Sequence, residues 1–327
     1  MNWHTPLPPL DSGKKIDLAH PLVALGSCFA THIGKLLQIH KFNISLNPFG
    51  TLFDPYSINR LLTYSLTRTL PDTAHEVQVE GTWRNLEVHS TLAASSQKAL
   101  RNKIKKAVKT TAQNLQTTKW LIVTYGTARI YRYLTSDRHI ANCHKLPAGR
   151  FTSEMATPDN LLADTSRTFD LLLQHNPDLH IIVTVSPVRH IKDGLPTNSL
   201  SKAILRLLCH QLSEQFRQVY YYPAYELMLD DLRDYRFYQA DLIHPNEQAI
   251  DYIWQHFSQS FFNQKTQSFT KKWQTILKAL QHRPFNPHTA AHRQFLENTL
   301  QKLQALASTI DVSREIKQVE RQLAQLS

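Results

Sequence analysis

Cysteine is scarce. The 327 residues hold three, Cys28, Cys143 and Cys209, too few and too scattered for a disulfide framework, so a reduced, cytoplasmic protein is the expectation. Eight glycines exclude a collagen-like or glycine-rich chain. No run of about 18 consecutive apolar residues occurs, so no membrane span is expected. The opening MNWHTPLPPLDSGKK has neither a basic nor an apolar signal region, and no secretory signal is expected. Acidic residues are in deficit, 26 against 37 Lys and Arg, for a net charge of +11. An anionic partner is one reading of that excess. The basic residues are spread out, however, densest from Lys98 to Lys109, with no aromatic-interleaved stripe, so nucleic acid is not expected as the primary partner. No Walker A or G-x-G-x-x-G string is present, so nucleotide binding by those routes has no support. Histidine is abundant at 17, but His139, Cys143 and His144 match no standard zinc spacing. No metal and no cofactor are expected.

What is present is a chain able to build a core, at 42% hydrophobic. Apolar runs alternate with helical patterns over most of its length. PLVALG (21–26), WLIVTY (120–125) and HIIVTV (180–185) read as buried strands, with Phe42 to Leu46 and Val219 to Tyr222 as two more. Helical spacing follows in Phe29, Ile33, Leu36 and Leu37, after Asp54-Pro55, and in Leu100 to Leu115, Leu161 to Leu173, Leu200 to Phe216 and Ile250 to Phe261. This alternation implies βαβ units: a three-layer α/β/α sandwich around a parallel sheet of about five strands. Residues 71–96 read as irregular. A first domain over 1–262 is expected, followed by a helical hairpin or arm over 263–327 in which Leu296, Leu300, Leu303, Ala307 and Ile310 step by four and three. That arm would pack on the core or on a second copy, so a homo-oligomer through these helices is open.

Ligands of such sheets bind beyond the carboxyl ends of the strands. The first strand ends in Gly26-Ser27-Cys28, where a helix begins. A cysteine there lies at the positive end of the helix dipole, which favours thiolate, beside free N–H groups that can hold an oxyanion. The other reading is a small buried residue. Gly50, after the second strand, is either a site glycine or an ordinary turn. Asp241-Leu242-Ile243-His244-Pro245 places a carboxylate three residues before a histidine, the supporting half of a nucleophile–histidine–carboxylate triad. Arg189 and His190, after the fourth strand, either line the site or form local contacts such as a salt bridge to Asp193.

Taken in order, these strings resemble the SGNH (GDSL-like) hydrolase superfamily, and GSCFA (26–30) with NPFG (47–50) resembles more closely the GSCFA-domain family. YGTARIY (125–131), ANCHKLP (141–147), SPVRH (186–190) and ADLIHPN (240–246) extend the likeness over roughly residues 20–260. The resemblance implies an SGNH/flavodoxin-like fold. It places Cys28 where the nucleophilic serine stands, Asp241 and His244 on the D-x-x-H pair, and the N–H groups of Cys28 and Gly50 in the oxyanion hole. The usual G-x-N-D is here Gly126-Thr127-Ala128-Arg129, so the asparagine donor is replaced by Ala128. Such a donor is worth about 2.7–4 kcal/mol in well-studied sites. Residues expected to touch substrate are Ser27 (also a fallback nucleophile), Asn47, Gly126, Thr127, Asn142, His144, Arg189 and His190. The implied activity is a hydrolase or acyltransferase acting through cysteine on an ester or thioester, with an O-acylated carbohydrate or another small acyl substrate. The alternative is a catalytically silent glycan- or ligand-binding module.

Overall fold

The computed structural model describes residues 4–326. Five parallel strands form the central sheet: β1 (Leu22–Gly26), β2 (Ile44–Leu46), β5 (Trp120–Tyr125), β9 (His180–Val185) and β10 (Val219–Tyr222). Their spatial order is β2-β1-β5-β9-β10, which in chain order is the 2-1-3-4-5 arrangement of flavodoxin-like sheets. β1 and β5 are buried along their whole length. Near-continuous Val, Leu and Ile runs suit strands covered on both faces. Side chains alternate across the sheet. Val23, Leu25, Leu121, Val123, Ile181 and Val183 enter one core, and Leu22, Ala24, Trp120, Ile122 and Ile182 enter the other.

The first core is closed by α2 (Pro55–Thr67), α3 (Gln97–Thr117), α4 (Pro158–His175) and α5 (Leu195–Gln215). The second is closed by α1 (Cys28–Ile39), by a short turn α6 (Ala224–Glu226) running into a wider π-type segment, Leu227–Leu232, and by α7 (Glu247–Phe261). The expected three-layer sandwich is the observed one. Asp54 caps α2 by accepting the Ser57 N–H at 2.9 Å, with Pro55 at the first helical position.

Two insertions escaped the sequence reading. Residues 71–96, expected to be irregular, hold the hairpin β3 (Glu76–Val79) and β4 (Thr82–Asn85). Directly after β5 the chain builds an antiparallel sheet from β6 (Arg129–Tyr133), β7 (Arg138–Ile140) and β8 (Phe151–Met155), in the order β7-β6-β8. These strands are short and rich in charged residues, so no apolar run announces them. The buried His75–Glu87 pair, with Nδ1 at 2.8 Å from the carboxylate, fastens the hairpin from within, and Arg60 of α2 reaches Glu87 and the His139 carbonyl.

Past Phe262 come three helices, α8 (Gln264–Gln281), α9 (Ala290–Leu306) and α10 (Ser313–Ala324). They share their own apolar cluster, centred on Trp273, Leu296, Leu303 and Val319. The bundle rests on the end of α1. The Trp273 indole donates to the Ile39 carbonyl at 2.7 Å, and Lys41 pairs with Glu315 at 2.8 Å. Among the described residues no helix is long and apolar enough to cross a membrane, and no group of three or more His, Cys, Asp or Glu is placed to hold a metal ion.

Candidate functional site

The chain reverses direction across the sheet between β1 and β5, and the carboxyl ends of these two strands form the crevice where such sheets take ligands. β1 ends at Gly26, with φ +134° and a backbone so close to β5 that a Cβ would lie 2.1 Å from the Thr124 carbonyl oxygen. Only glycine fits there. Ser27 is the N-cap of α1, but its hydroxyl makes no capping bond and is buried without a partner among the described residues. Cys28 opens the helix and is partly exposed. Burial pushes its thiol above the usual range, with its own backbone N–H opposing. The sequence expectation was the opposite direction. Desolvation of the thiolate outweighs the N–H groups of the first turn.

The Asp241–His244 loop is built tightly. The Leu242 N–H donates to the Gln239 carbonyl, and Leu242 itself adopts φ +58°. Asp241 Oδ1 accepts the N–H groups of Ile243 and His244, at 2.9 and 3.0 Å, and Oδ2 lies 2.7 Å from His244 Nδ1. These bonds, the His244 N–H first, hold the Asp241 carboxyl down at about 2. An ionised carboxylate on Nδ1 fixes the proton there and leaves Nε2 as the free acceptor. Asn246 then caps α7 through the Ala249 N–H. Arg189, at the end of β9, braces this loop. Its N–H and guanidinium approach the carbonyls of Ile243 and Leu242 at 3.4 and 3.5 Å, and the guanidinium lies 4.4 Å from the Tyr238 ring. Asp193, considered as a partner for Arg189, pairs with Arg129 at 3.2 Å instead.

Two further histidines lie within electrostatic range of His244. Burial lowers the pKa of His32, helped by Lys35 and by the charge of His244. His32 lies one helical turn beyond Cys28, on the same face of α1; sequence reasoning missed it, although the i, i+4 spacing was there to be read. His190 packs edge-on against Phe53 with ring centroids 5.6 Å apart. Burial, then the Lys202 charge, lowers it to about 4, with a smaller contribution from His244. Lys202 was also missed. It is 1% exposed and donates to the carbonyls of Gly126 and Ser186, both at 2.7 Å. One α5 side chain thus ties together the ends of β5 and β9.

Several expected contacts prove to be engaged elsewhere. The Gly50 N–H, expected in the oxyanion hole, donates to the Asn47 carbonyl at 2.8 Å in a tight turn with φ +76°. The Asn47 side chain accepts the Gly26 N–H and donates to Thr31 Oγ1, both at 2.9 Å, so it fastens β2 to β1 rather than facing a ligand. The N–H groups of Gly126 and Thr127 both donate to the Phe53 carbonyl. The Thr127 hydroxyl meets Ser201 at 3.1 Å. Asn142 accepts the His144 N–H, and His144 is buried against the Asn85 carbonyl at 2.9 Å, within the inserted hairpin region. Cys28 thus follows β1 at the carboxyl edge of the sheet, and the Asp241–His244 loop is tied to the segment after β9 through Arg189, while Asn47, Gly126, Thr127, Asn142 and His144 are engaged in framework contacts.

Residues 21–257 match the description "GSCFA family", and residues 273–325 match "GSCFA domain protein, C-terminal domain". No curated protein matches the chain. Among solved structures, "Crystal structure of a carbohydrate esterase family 3 from Talaromyces cellulolyticus" is similar at a TM-score of 0.35 and 9% identity, over 73% of this chain and 94% of that one. A likeness this remote carries no argument about chemistry.

Proposed function

The chain belongs to the GSCFA family, and we propose that it is an SGNH-like enzyme that cleaves or transfers an acyl group through Cys28. The observation that supports this reading is the Asp241–His244 pair at 2.7 Å, held by an ionised carboxylate, in the same chain as a cysteine that opens α1 directly after β1. With Nδ1–H fixed on Asp241, His244 Nε2 accepts the Cys28 thiol proton. The thiolate sulfur attacks the acyl carbonyl carbon, and the carbonyl π pair moves onto oxygen. First-turn N–H groups of α1, left uncapped by Ser27, face that oxyanion. Collapse expels the alcohol or thiol, which takes the proton from Nε2 and leaves a Cys28 thioester. Water or an acceptor nucleophile, deprotonated by His244, then attacks the thioester carbonyl; collapse breaks the C–S bond, releases the acid or the acylated acceptor, and Cys28 sulfur takes the proton back from Nε2. A thiol raised by burial makes this histidine necessary, because little thiolate exists without it.

A second reading, a silent binding module for a glycan or other small ligand, draws on the engaged Gly50 N–H and on Ala128 at the usual asparagine position. Intact mass after mixing with short-chain activated esters and thioesters separates the two. The enzyme reading expects an acyl adduct on wild type, none on Cys28→Ala, and much slower adduct formation on His244→Ala, whose thiol has lost its base. No adduct and no turnover across the panel favour the binding module.

A further inference from the structure

A cavity opens at the opposite edge of the sheet, where the end of α1 meets the C-terminal helices. Its volume is about 720 Å³, inside the range of roughly 300–1,000 Å³ typical of small-ligand sites. Cys28 starts α1 and this cavity is lined from Gln38 onward, about 15 Å along the helix at about 1.5 Å per residue, so the two sites are separate. Leu18, Phe42, Leu306 and Ile310 supply apolar wall. On α8, Lys265, Phe269 and Lys272 all line the cavity; spaced by four and three, they form one stripe with an aromatic ring between two ammonium groups.

The charges around it are unevenly matched. Asp17 accepts the Ala19 N–H and the Asn263 amide, at 3.0 and 2.8 Å. Asp311 accepts the Ser313 N–H and hydroxyl, at 3.0 and 2.7 Å. Lys41 is paired with Glu315. Lys265 is near enough to favour ionised Asp17, yet among the described residues neither Lys265 nor Lys272 has a hydrogen-bond or carboxylate partner. The cavity therefore offers two open ammonium donors beside an apolar wall, while the carboxylates of Asp17 and Asp311 are each held by two local hydrogen bonds.

We infer that this inter-helix cavity binds an amphipathic anion, its single hydrocarbon chain against Phe42, Phe269 and Leu306 and its carboxylate or phosphate head on Lys265 and Lys272. Because the lining comes from both the sandwich and the C-terminal helices, bound ligand holds the two together and raises the unfolding temperature of the chain.

The test is isothermal titration of the full chain with decanoate, decyl phosphate and decanol, on wild type, Lys272→Glu and Lys278→Glu. Both lysines are on α8, and Lys278 does not line the cavity. The expected result is binding of at least one anionic probe, weakened about tenfold or more in Lys272→Glu and unchanged in Lys278→Glu, with decanol weaker than either anion. A preference for decanoate or for decyl phosphate identifies the head group. Equal binding of decanol, equal loss in both variants, or no binding by any probe would overturn the inference.

Discussion

Replacing Lys202 by Met tests what holds the site's floor. The Lys202 ammonium group bonds the carbonyls that follow β5 and β9, Gly126 and Ser186, at 2.7 Å each. Methionine keeps most of the volume of the lysine stem, so the change removes two hydrogen bonds with little loss of packing. A buried carbonyl left unpaired costs about 1–3 kcal/mol, or roughly 2–6 kcal/mol for the two. Burial also lowers the lysine pKa from 10.5 to about 7. Between those values the unfolded chain holds a proton that the folded chain has released, so stability rises with pH. The stabilisation is complete above 10.5 and is lost as pH falls through about 7. At about 1.4 kcal/mol per pH unit the swing is on the order of 4–5 kcal/mol. Urea unfolding of wild type and Lys202→Met, followed by circular dichroism from about pH 6 to about pH 9.5, should show wild type gaining several kcal/mol on the variant as pH rises. A gap that stays flat with pH would refute the burial argument. A variant as stable as wild type at the alkaline end would refute the role of the two bonds.

Other substitutions probe the framework and the site separately. Gly26→Ala drives a Cβ to 2.1 Å from a backbone oxygen at φ +134°, so a loss of more than about 4 kcal/mol is expected, read as a collapse in soluble yield or urea midpoint. Asp241→Asn keeps an exposed loop folded but releases the Nδ1 proton assignment of His244. Turnover on any substrate found by the adduct screen should fall by a factor on the order of 10³–10⁴, and an unchanged kcat would remove Asp241 from the mechanism. Glu87 is held at about 2 against an ordinary 4.5, by His75, Arg60 and the Asp72 N–H acting against burial. Its stabilisation is complete above 4.5 and lost as pH falls toward 2, about 3 kcal/mol in all at about 1.4 kcal/mol per unit. Acid titration of Glu87→Gln should show lower stability at neutral pH and a shallower acid limb than wild type, and parallel curves would contradict it.

The sandwich was legible because its strands advertise themselves. Buried on both faces, PLVALG, WLIVTY and HIIVTV need unbroken apolar runs, and the helices between them need a 3.6-residue apolar period. The Asp241–His244 contact was legible too, since three residues of a tight turn suffice to bring a carboxylate onto Nδ1. The antiparallel strands β6 to β8 were not, because a small half-exposed sheet can be assembled from charged residues once a neighbour covers its other face.

The chain's own order of residues therefore determined the layered α/β architecture, the helix start at Cys28 and the local carboxylate–histidine pair, each being a matter of short-range periodicity or turn geometry. Tertiary structure alone decided which donors stay open. The Gly50 N–H was taken by its own turn, the Asn47 amide by β1 and α1, and the Thr127 hydroxyl by α5. It also decided that Lys202, 76 residues from Gly126 in sequence, closes the ends of two strands, and that burial lifts the Cys28 thiol. Hydrogen-bond satisfaction and desolvation depend on everything packed around a group, and that environment exists only once distant segments have met.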